Sequence, residues 1–370
     1  MIRVFEPTIT FKDKFSVLKN LYSTSISGNS PVINSFEQKL ADNFDRKYSV
    51  ATSNGSTALE VAIASLNLKK DSEVVVPSFT IISCLSAIIR NNLKPVFCDV
   101  DPNSWNMRLE DITKVITENT KAVLMVHTYG LTAEAVKIQN FCSQNEIILI
   151  EDAAEAHGQI VDNKKCGSFG KVSTLSFYAN KHVTTGEGGA VLTDSKEIYL
   201  KIKKMVNLDF GDENRFNHDH LYWNFRMSGL QASLGLSQIN NLRKTIDKKI
   251  NQAKVYDEYF SKIGEHVQIP LTKNEFSKNH YWVYGIVIKK EGLRDKLMQY
   301  LLESNIQTRQ FFWPLHLQKS LPENLKSKNV ILKNTEYIGR NGLYLPIGRH
   351  VKDKQQKFIY EKIRIFLESN

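Results

Sequence analysis

The sequence contains little cysteine and no paired cysteine motif. Only four of its 370 residues are cysteines, and they are widely scattered: Cys84, Cys98, Cys142 and Cys166. No two of them have the C-x-x-C spacing of zinc sites and redox centres, and isolated thiols are typical of a reducing compartment. We therefore expect neither a disulfide framework nor a metal site.

Long apolar runs are also missing. No segment approaches the roughly 18 uninterrupted apolar residues that a membrane-spanning helix needs. The first ten residues, MIRVFEPTIT, lack the charged, apolar and small-residue regions of a secretion signal. These absences lead us to expect a cytoplasmic protein without a membrane partner.

Positive charge is in excess but is not concentrated. The formal net charge is +10, and the lysines are spread along the chain without a dense basic block that alternates with aromatic residues. A nucleic-acid partner is therefore not expected. A lysine-rich solvated surface accounts for the charge, and a di- or triphosphate ligand is compatible with it.

The first half of the chain alternates short apolar runs with helical patterns. Runs rich in valine and isoleucine predict buried strands at residues 73–77, 94–101, 121–130, 146–154, 171–178 and 188–194. Amphipathic patterns predict helices at residues 56–68, 80–92, 108–119 and 132–145. Strands that alternate with helices of about ten or more residues form a largely parallel sheet covered on both faces.

The pattern changes after residue 240. Leu242, Ile246, Ile250 and Ala253 share one stripe of a long amphipathic helix. Further patterns predict a strand, a helix, a strand and a final helix at residues 280–290, 291–305, 306–312 and 353–368. Since the chain is longer than one core usually supports, we predict a large domain, 1–240, and a smaller α/β domain, 241–370.

A possible phosphate site lies in the segment SVATSNGSTALEVAIASL. Small residues end an apolar segment there, and Ser56 and Thr57 open a helix. Free backbone N–H groups, hydroxyls and the helix dipole together favour phosphate binding. The alternative is that Ser56 simply caps the helix. A Walker loop is excluded, because no Gly-Lys-Ser/Thr follows.

A pair of carboxylates occurs in the segment LIEDAAEAHG. Glu151 and Asp152 come at the carboxyl end of an apolar strand, which is where open α/β sheets bind ligands. Asp152 could pair with a protonated ring nitrogen of a cofactor, or it could cap the turn that follows. The residues alone leave both interpretations open.

The segment SFYANKHVTTGEGGAVLT places a lysine among aromatic residues and glycines. Gly186, Gly188 and Gly189 precede an apolar strand, whereas the dinucleotide signature G-x-G-x-x-G opens a helix, so that function is excluded. Lys181 follows a strand and lies in a turn, from which it can enter a pocket. Burial among aromatic side chains would favour the neutral, nucleophilic amine.

Six segments in this order make the sequence recognisable: SNGSTAL, PSFT, IEDAAEAHG, SFYANKHVTTGEGGAVLT, YWNFRMSGLQASLGLSQI and RQFFWPLHLQ. Together they resemble the DegT/DnrJ/EryC1/StrS family of sugar aminotransferases, which use pyridoxal phosphate, and the resemblance runs nearly end to end. DVDPNSWNM and NKHVTTGEGG are most similar to the perosamine-synthase-like members. The resemblance implies the α/β fold of aspartate aminotransferase, with a mostly parallel central sheet, and a homodimer whose active sites lie at the subunit interface.

The resemblance also implies roles for individual residues. Lys181 matches the Schiff-base lysine, Asp152 the partner of the pyridine nitrogen, and Glu155 a polar group near the ring hydroxyl. The residues that match contacts to the cofactor phosphate are Ser56, Thr57, Ser176 and, reaching the neighbouring subunit's cofactor, Asn224. Ile81 stands where the family commonly has an aromatic residue that stacks on the ring.

Other residues of the resembling segments point to the substrate. Arg309, Trp313 and His316 match a loop on the substrate side, and Arg309 could bind a pyrophosphate bidentately. A strand-end arginine and a core tryptophan are the structural alternative. We expect His127 and Arg226 to be structural.

The implied reaction moves an amino group from L-glutamate to the C4 keto carbon of a nucleotide-linked 4-keto-6-deoxyhexose, such as GDP-4-keto-6-deoxymannose, for perosamine in a lipopolysaccharide O-antigen. The alternatives are C3 amination, a dTDP- or UDP-linked substrate, 3-dehydration, and a non-catalytic regulator that binds pyridoxal phosphate. Dehydratases of the family have histidine in place of the lysine, and Lys181 therefore favours transamination.

Overall fold

The computed structural model describes residues 1–211, 215–326 and 330–370. Up to Thr193 the elements are α1 (Phe11–Tyr22), α2 (Pro31–Asn43), β1 (Tyr48–Thr52), α3 (Gly55–Ser65), β2 (Glu73–Pro77), α4 (Ile82–Arg90), β3 (Lys94–Cys98), α5 (Leu109–Thr113), β4 (Thr120–Val126), α6 (Ala135–Gln144), β5 (Ile148–Asp152), β6 (Ile160–Val161), β7 (Lys164–Lys165), β8 (Val172–Ser176) and β9 (Gly189–Thr193). They are followed by α7 (Lys196–Val206), α8 (Gly229–Gln238), α9 (Leu242–Phe260), β10 (Val267–Gln268), β11 (Tyr284–Ile288), α10 (Arg294–Glu303), β12 (Arg309–Gln310), α11 (Lys333–Asn341), β13 (Gly342–Leu345) and α12 (Asp353–Glu368).

A seven-stranded sheet forms the centre of the fold, with the strand order β1-β9-β8-β5-β4-β2-β3. Six of these strands run in one direction, and β9 runs antiparallel to its neighbours β1 and β8. The sequence-based prediction of an α/β fold with a largely parallel sheet is therefore confirmed.

Helices cover both faces of this sheet. Along β2, Val75 belongs to a core with residues of α2 and α6, whereas Val74 and Val76 belong to a second core with residues of α3, α4 and α7. Successive side chains of a strand point to opposite faces, so a strand with apolar residues on both faces must be buried on both. This burial explains the continuous apolar runs of the sequence.

The helix predicted at residues 108–119 is too long. Only Leu109–Thr113 is α-helical, and the chain turns back before β4 begins at Thr120. The amide of Thr117 donates to the Thr120 hydroxyl at 3.1 Å, which fixes that turn. β-Branched residues such as Val115 and Ile116 have low helix propensity and did not extend the helix.

A second, four-stranded sheet follows the long helix α9, in the order β10-β11-β13-β12 with all pairs antiparallel. Helices α9, α10 and α12 pack on it. The strands predicted at 280–290 and 306–312 are shorter, since β11 begins at Tyr284 and β12 contains two residues.

Ile2 forms a bridge with Ile306, so the N-terminal residues contact this part of the chain. The domain division after residue 240 stays a prediction.

Within the three described ranges, no helix combines the length and the apolar character that crossing a bilayer requires.

Candidate active site

Four strands of the large sheet end at the edge where the predicted site residues lie. β1 leads into the Asn54 turn, β2 leads to Ile81, β5 ends at Asp152, and β8 leads to Lys181. These strands run in the same direction, so their carboxyl ends meet at one edge, which is where open α/β sheets bind ligands. Residues more than a hundred positions apart in sequence thereby come together.

Lys181 lies in a partly buried turn after β8. Its backbone amide donates to the carbonyl of Tyr178 at 2.9 Å, and its side chain is only 9% exposed. The amine, Nζ, lies 3.3 Å from Oε1 of Glu155 and 3.8 Å from the centre of the Trp282 ring. A carboxylate and an aromatic face both attract an ammonium group, and together they fix the amine in one position.

Glu155 is the ionic partner of this lysine. Its Oε2 accepts a hydrogen bond from the backbone amide of Tyr129 at 2.9 Å. Burial raises the pKa of Glu155 to about 7, and the nearby charge of Lys181 opposes that rise. The carboxyl group can therefore gain or lose a proton near neutral pH.

Asp152 ends β5 and faces the same space. Its Oδ1 accepts a hydrogen bond from the amide of Ala154 at 3.0 Å, and the Cys84 thiol donates to Oδ2 at 3.5 Å. Burial raises the pKa of Asp152, and the Ala154 hydrogen bond acts against this rise. Asp152 thus caps the turn after β5, as one interpretation of the sequence expected, and it also lines the cavity described below.

Glu151 points to the opposite face of the sheet and is structural. It accepts hydrogen bonds from the amides of Gly167 at 2.6 Å and Phe169 at 2.8 Å, and from the hydroxyl of Ser173 at 2.8 Å. His127 accepts from the amide of Ala133 through Nδ1, so its Nε2 carries the proton and donates to Glu151 at 3.1 Å. Burial disfavours the charge, but these donors lower the pKa of Glu151 to about 2.

The N-terminus of α3 offers free donors beside Ser176. Its N-cap is Asn54, which accepts from the amide of Thr57 at 2.9 Å, so the suggestion that Ser56 caps this helix is wrong. Among the described residues, the amides of Gly55 and Ser56 have no acceptor. A Cβ at Gly55 would lie 2.8 Å from that of Ser176, so only glycine allows this approach. Unpaired amides at a helix N-terminus form an anion site.

These groups line one cavity of about 770 Å³, which is within the range of small-molecule sites. The predicted site residues that line it are Ser56, Thr57, Ile81, Asp152, Glu155, Ser176, Lys181 and Arg309. Ile81, which stands where the family commonly has a ring-stacking aromatic residue, lines the cavity and is 40% exposed.

Three predicted residues lie outside the lining of this cavity. Asn224 is exposed and accepts from Arg226 Nε at 2.9 Å. Trp313 is 40% exposed. His316 is hydrogen-bonded through Nδ1 to the Ser78 hydroxyl at 2.7 Å, and its Nε2 lies 3.5 Å from Glu336. The contact between His316 and Ser78 connects the loop after β12 to the end of β2.

Several lining residues were missed by the sequence reasoning, among them Trp282, Tyr178, Tyr344 and Phe312. Trp282 was assigned to a continuous strand at residues 280–290, whereas β11 begins two residues later. The signal that could have identified it is a tryptophan two residues before a strand, in the aromatic segment HYWVYG.

Known proteins are similar to this chain in sequence and in fold over nearly its whole length. The model of the DegT/DnrJ/EryC1/StrS aminotransferase family matches residues 10–364. A GDP-perosamine synthase of Vibrio cholerae is 33% identical over 368 residues, covering 98% of each chain, and that of Escherichia coli O157:H7 is 32% identical over 365 residues, covering 99% of this chain and 98% of its own. The aminotransferase TlmJ from Streptoalloteichus hindustanus has a TM-score of 0.92 at 25% identity, covering 100% of this chain and 99% of its own.

The chain belongs to the DegT/DnrJ/EryC1/StrS aminotransferase family. It is a sugar aminotransferase that depends on pyridoxal phosphate. The cavity fits this cofactor, because it combines a buried amine for the aldehyde, a carboxylate for the ring nitrogen, and two free amides with neighbouring hydroxyls for the phosphate.

Proposed function

We propose that the protein transfers the amino group of L-glutamate to the C4 keto carbon of GDP-4-keto-6-deoxymannose, which gives GDP-perosamine for O-antigen synthesis. The observation that carries this proposal is the buried Lys181 amine, held between Glu155 and Trp282 at the wall of the large cavity. The similarity to GDP-perosamine synthases over nearly the full length supports the choice of sugar and nucleotide.

The proposed chemistry assigns a task to each side chain. Pyridoxal phosphate, when bound, supplies an aldehyde that takes up amines and a ring that accepts electrons. Lys181 would hold the cofactor through its Nζ, and the same Nζ would carry the proton from the α-carbon of the donor to the cofactor carbon. Asp152 keeps the ring nitrogen protonated, and Glu155 lies beside Nζ, where it balances the charge of the ammonium group.

The phosphate is proposed to bind at the N-terminus of α3. Gly55 and Ser56, whose amides have no acceptor among the described residues, line this end of the cavity together with Thr57 and Ser176. The hydroxyls of Ser56 and Ser176 add donors, whereas the Thr57 hydroxyl donates to the carbonyl of Asn54 at 2.8 Å. Ser56 is hydrogen-bonded to Ser83 at 2.6 Å, so a residue of α4 orients its hydroxyl. Ile81 packs on a face of the cofactor ring in this proposal.

Arg309 is the residue that we propose for the pyrophosphate of the nucleotide sugar. It is exposed and lines the cavity, and its guanidinium lies 4.8 Å from the centre of the Phe5 ring. A guanidinium that rests on an aromatic face keeps its donors free for a bidentate contact with phosphate oxygens. For Trp313 and His316 a substrate role stays a prediction.

We also propose a homodimer in which Asn224 completes the partner's site. Asn224 is exposed and lies outside the cavity of its own chain. Nearby in sequence, Phe216 and Leu221 are 80% and 102% exposed, an unusual exposure for large apolar side chains. Burial against a second copy would remove this apolar surface from water.

The test is to incubate the purified full-length enzyme with L-glutamate and separate GDP-, dTDP- and UDP-linked 4-keto sugars, followed by mass spectrometry of the products. We expect 2-oxoglutarate and an aminated sugar from the GDP substrate, with nitrogen at C4 by nuclear magnetic resonance. Preference for a dTDP- or UDP-linked sugar would overturn the assignment of the nucleotide, and nitrogen at C3 would overturn the assignment of the aminated carbon. A deoxygenated sugar would indicate dehydration, and an absence of turnover with every sugar would favour the regulator.

A further inference from the structure

A lysine interrupts the buried stripe of helix α9. Ile246, Ala253, Tyr256 and Phe260 form an apolar stripe at helical spacing, and all are buried. Lys249 lies on the same stripe, three residues after Ile246 and four before Ala253, and is only 7% exposed. Lysines are almost never fully buried unless a partner compensates, and such a violation of the local pattern marks a functional or strained position.

The partner of Lys249 is the main chain at Trp282. The Lys249 amine donates to the carbonyl oxygen of Trp282 at 2.7 Å. Burial, with the nearby charge of Lys181, lowers the pKa of Lys249 to about 7. A neutral or a charged amine can donate this hydrogen bond, so the contact persists in both protonation states.

Two further contacts fix the position of Trp282. Its indole N–H donates to the carbonyl oxygen of Asn180 at 3.1 Å, directly before Lys181 in sequence. On its other side the backbone passes close to Gly130, where a Cβ would lie 2.5 Å from the amide nitrogen of Trp282. Tyr281 has φ +50°, a conformation that is costly for an aromatic residue and persists only when its surroundings enforce it.

The ring held in this way is the surface on which the Lys181 amine rests, at 3.8 Å from its centre. We propose that Trp282 is a positioning residue for Lys181, and that Lys249 is the residue that positions Trp282. This inference rests on the proposed role of Lys181. It adds that the connecting helix α9, which contributes no group to the large cavity, controls where the reacting amine lies.

The first experiment measures the exposure of the Lys181 amine in the full-length chain after removal of cofactor. Acetylation by acetic anhydride at one fixed pH is quantified by peptide mass spectrometry, relative to the exposed Lys70. We expect Trp282→Leu and Lys249→Met to increase the labelling rate of Lys181 by about two- to tenfold, because the amine loses its cation–π contact and its cover. Lys249→Arg, which keeps a donor, should restore a rate near that of the wild type.

Lys201→Met is the matched control, because Lys201 also donates to a backbone carbonyl, that of Ser65 at 3.1 Å, but on the far helix α7. It should leave the labelling of Lys181 unchanged. Slower labelling in Lys249→Met would show that Lys249 acts by charge repulsion alone and would overturn the proposal, as would unchanged labelling in folded Trp282→Leu. If Lys249→Met does not fold, Lys249→Gln replaces it, and Trp282→Phe is measured as a second variant of the tryptophan.

The second experiment follows the half-reaction of the cofactor-loaded enzyme with L-glutamate, by its visible absorbance. Trp282→Leu and Lys249→Met should lower the maximal rate by about tenfold while the glutamate concentration for half-maximal rate changes little, because positioning of the amine affects proton transfer more than donor binding. Neither experiment contains a sugar. A wrong assignment of the sugar substrate would therefore leave both results intact.

Discussion

Asp152 and Glu151 are adjacent in sequence but face opposite sides of the central sheet. Asp152 lines the cavity, whereas Glu151 accepts hydrogen bonds from backbone and side-chain donors on the other side. Since side chains alternate along a strand, only one of the two carboxylates can enter the site. The acidic pair therefore divides into one residue that lines the cavity and one that is hydrogen-bonded within the fold.

This division predicts different effects of removing each charge. Asp152→Asn should lower turnover by about a hundredfold or more, as is common when a group that controls a proton is removed, while the unfolding temperature stays at or above that of the wild type. Glu151→Gln should lower the free energy of unfolding by about 3 kcal/mol, because several charge-assisted hydrogen bonds are weakened. Steady-state kinetics and urea unfolding distinguish the two; equal loss of stability would contradict the assignment.

The raised pKa of Glu155 predicts that the free energy of unfolding depends on pH. The pKa of this carboxyl group rises on folding from its ordinary value of 4.5 to about 7, so the folded chain binds its proton more tightly than the unfolded chain. The stabilising contribution is complete below pH 4.5 and is lost as the pH rises through 7. In cofactor-free protein, Glu155→Gln should remove this part of the pH dependence. An unchanged pH profile of urea unfolding in the variant would refute the prediction.

The close approach of Gly55 to Ser176 predicts that a larger residue at position 55 disturbs the proposed phosphate site. Gly55→Ala places a methyl group 2.8 Å from Cβ of Ser176, so the serine must move away from the N-terminus of α3. We expect the dissociation constant for pyridoxal phosphate to rise by about tenfold, because one donor and the alignment of the amides are lost. Gly264→Ala is the control, since its Cβ would meet its nearest neighbour at 3.6 Å. Equal affinity in both variants, measured by absorbance titration, would contradict this site.

The proposed homodimer predicts complementation between inactive variants. Asn224→Ala and Lys181→Ala should each lower activity strongly. Refolding an equal mixture should restore up to about a quarter of wild-type activity, because half of the dimers then contain one intact site. Lys181→Ala mixed with Asp152→Asn is the control: both residues serve the cavity of their own chain, so no site is intact. Recovery in the control, or none in the first mixture, would rule out the shared site.

The sequence predicted the elements whose patterns are governed by burial. Residues 73–77 are β2 and residues 353–368 are α12, with the same bounds in the structure. The strand patterns also placed Asp152 at the end of a strand and Lys181 in the turn after one, and both strands end at the same edge of the sheet. These are local patterns and connection rules that need no knowledge of distant contacts.

What the sequence did not predict depends on contacts between distant segments. Trp282 comes about a hundred residues after Lys181, and its ring lies beside the Lys181 amine through contacts with Gly130, Asn180 and Lys249 that no local pattern shows. Capping of α3 by Ser56 was an alternative in the sequence, because serine is a common N-cap, but the N-cap is Asn54, two residues earlier. Lys249 is absent from the apolar stripe that the sequence predicts, yet it is buried beside Ile246 and Ala253 because the carbonyl of Trp282, distant in sequence, accepts its hydrogen bond.

The central claim is that the Lys181 amine holds the cofactor. Borohydride reduction of the purified full-length enzyme, followed by proteolysis and peptide mass spectrometry, tests it most directly. The account predicts one pyridoxyl adduct per chain, on the peptide that contains Lys181, and none in Lys181→Ala. An adduct on another lysine, such as Lys249, or no adduct in a protein that carries bound cofactor, would contradict it.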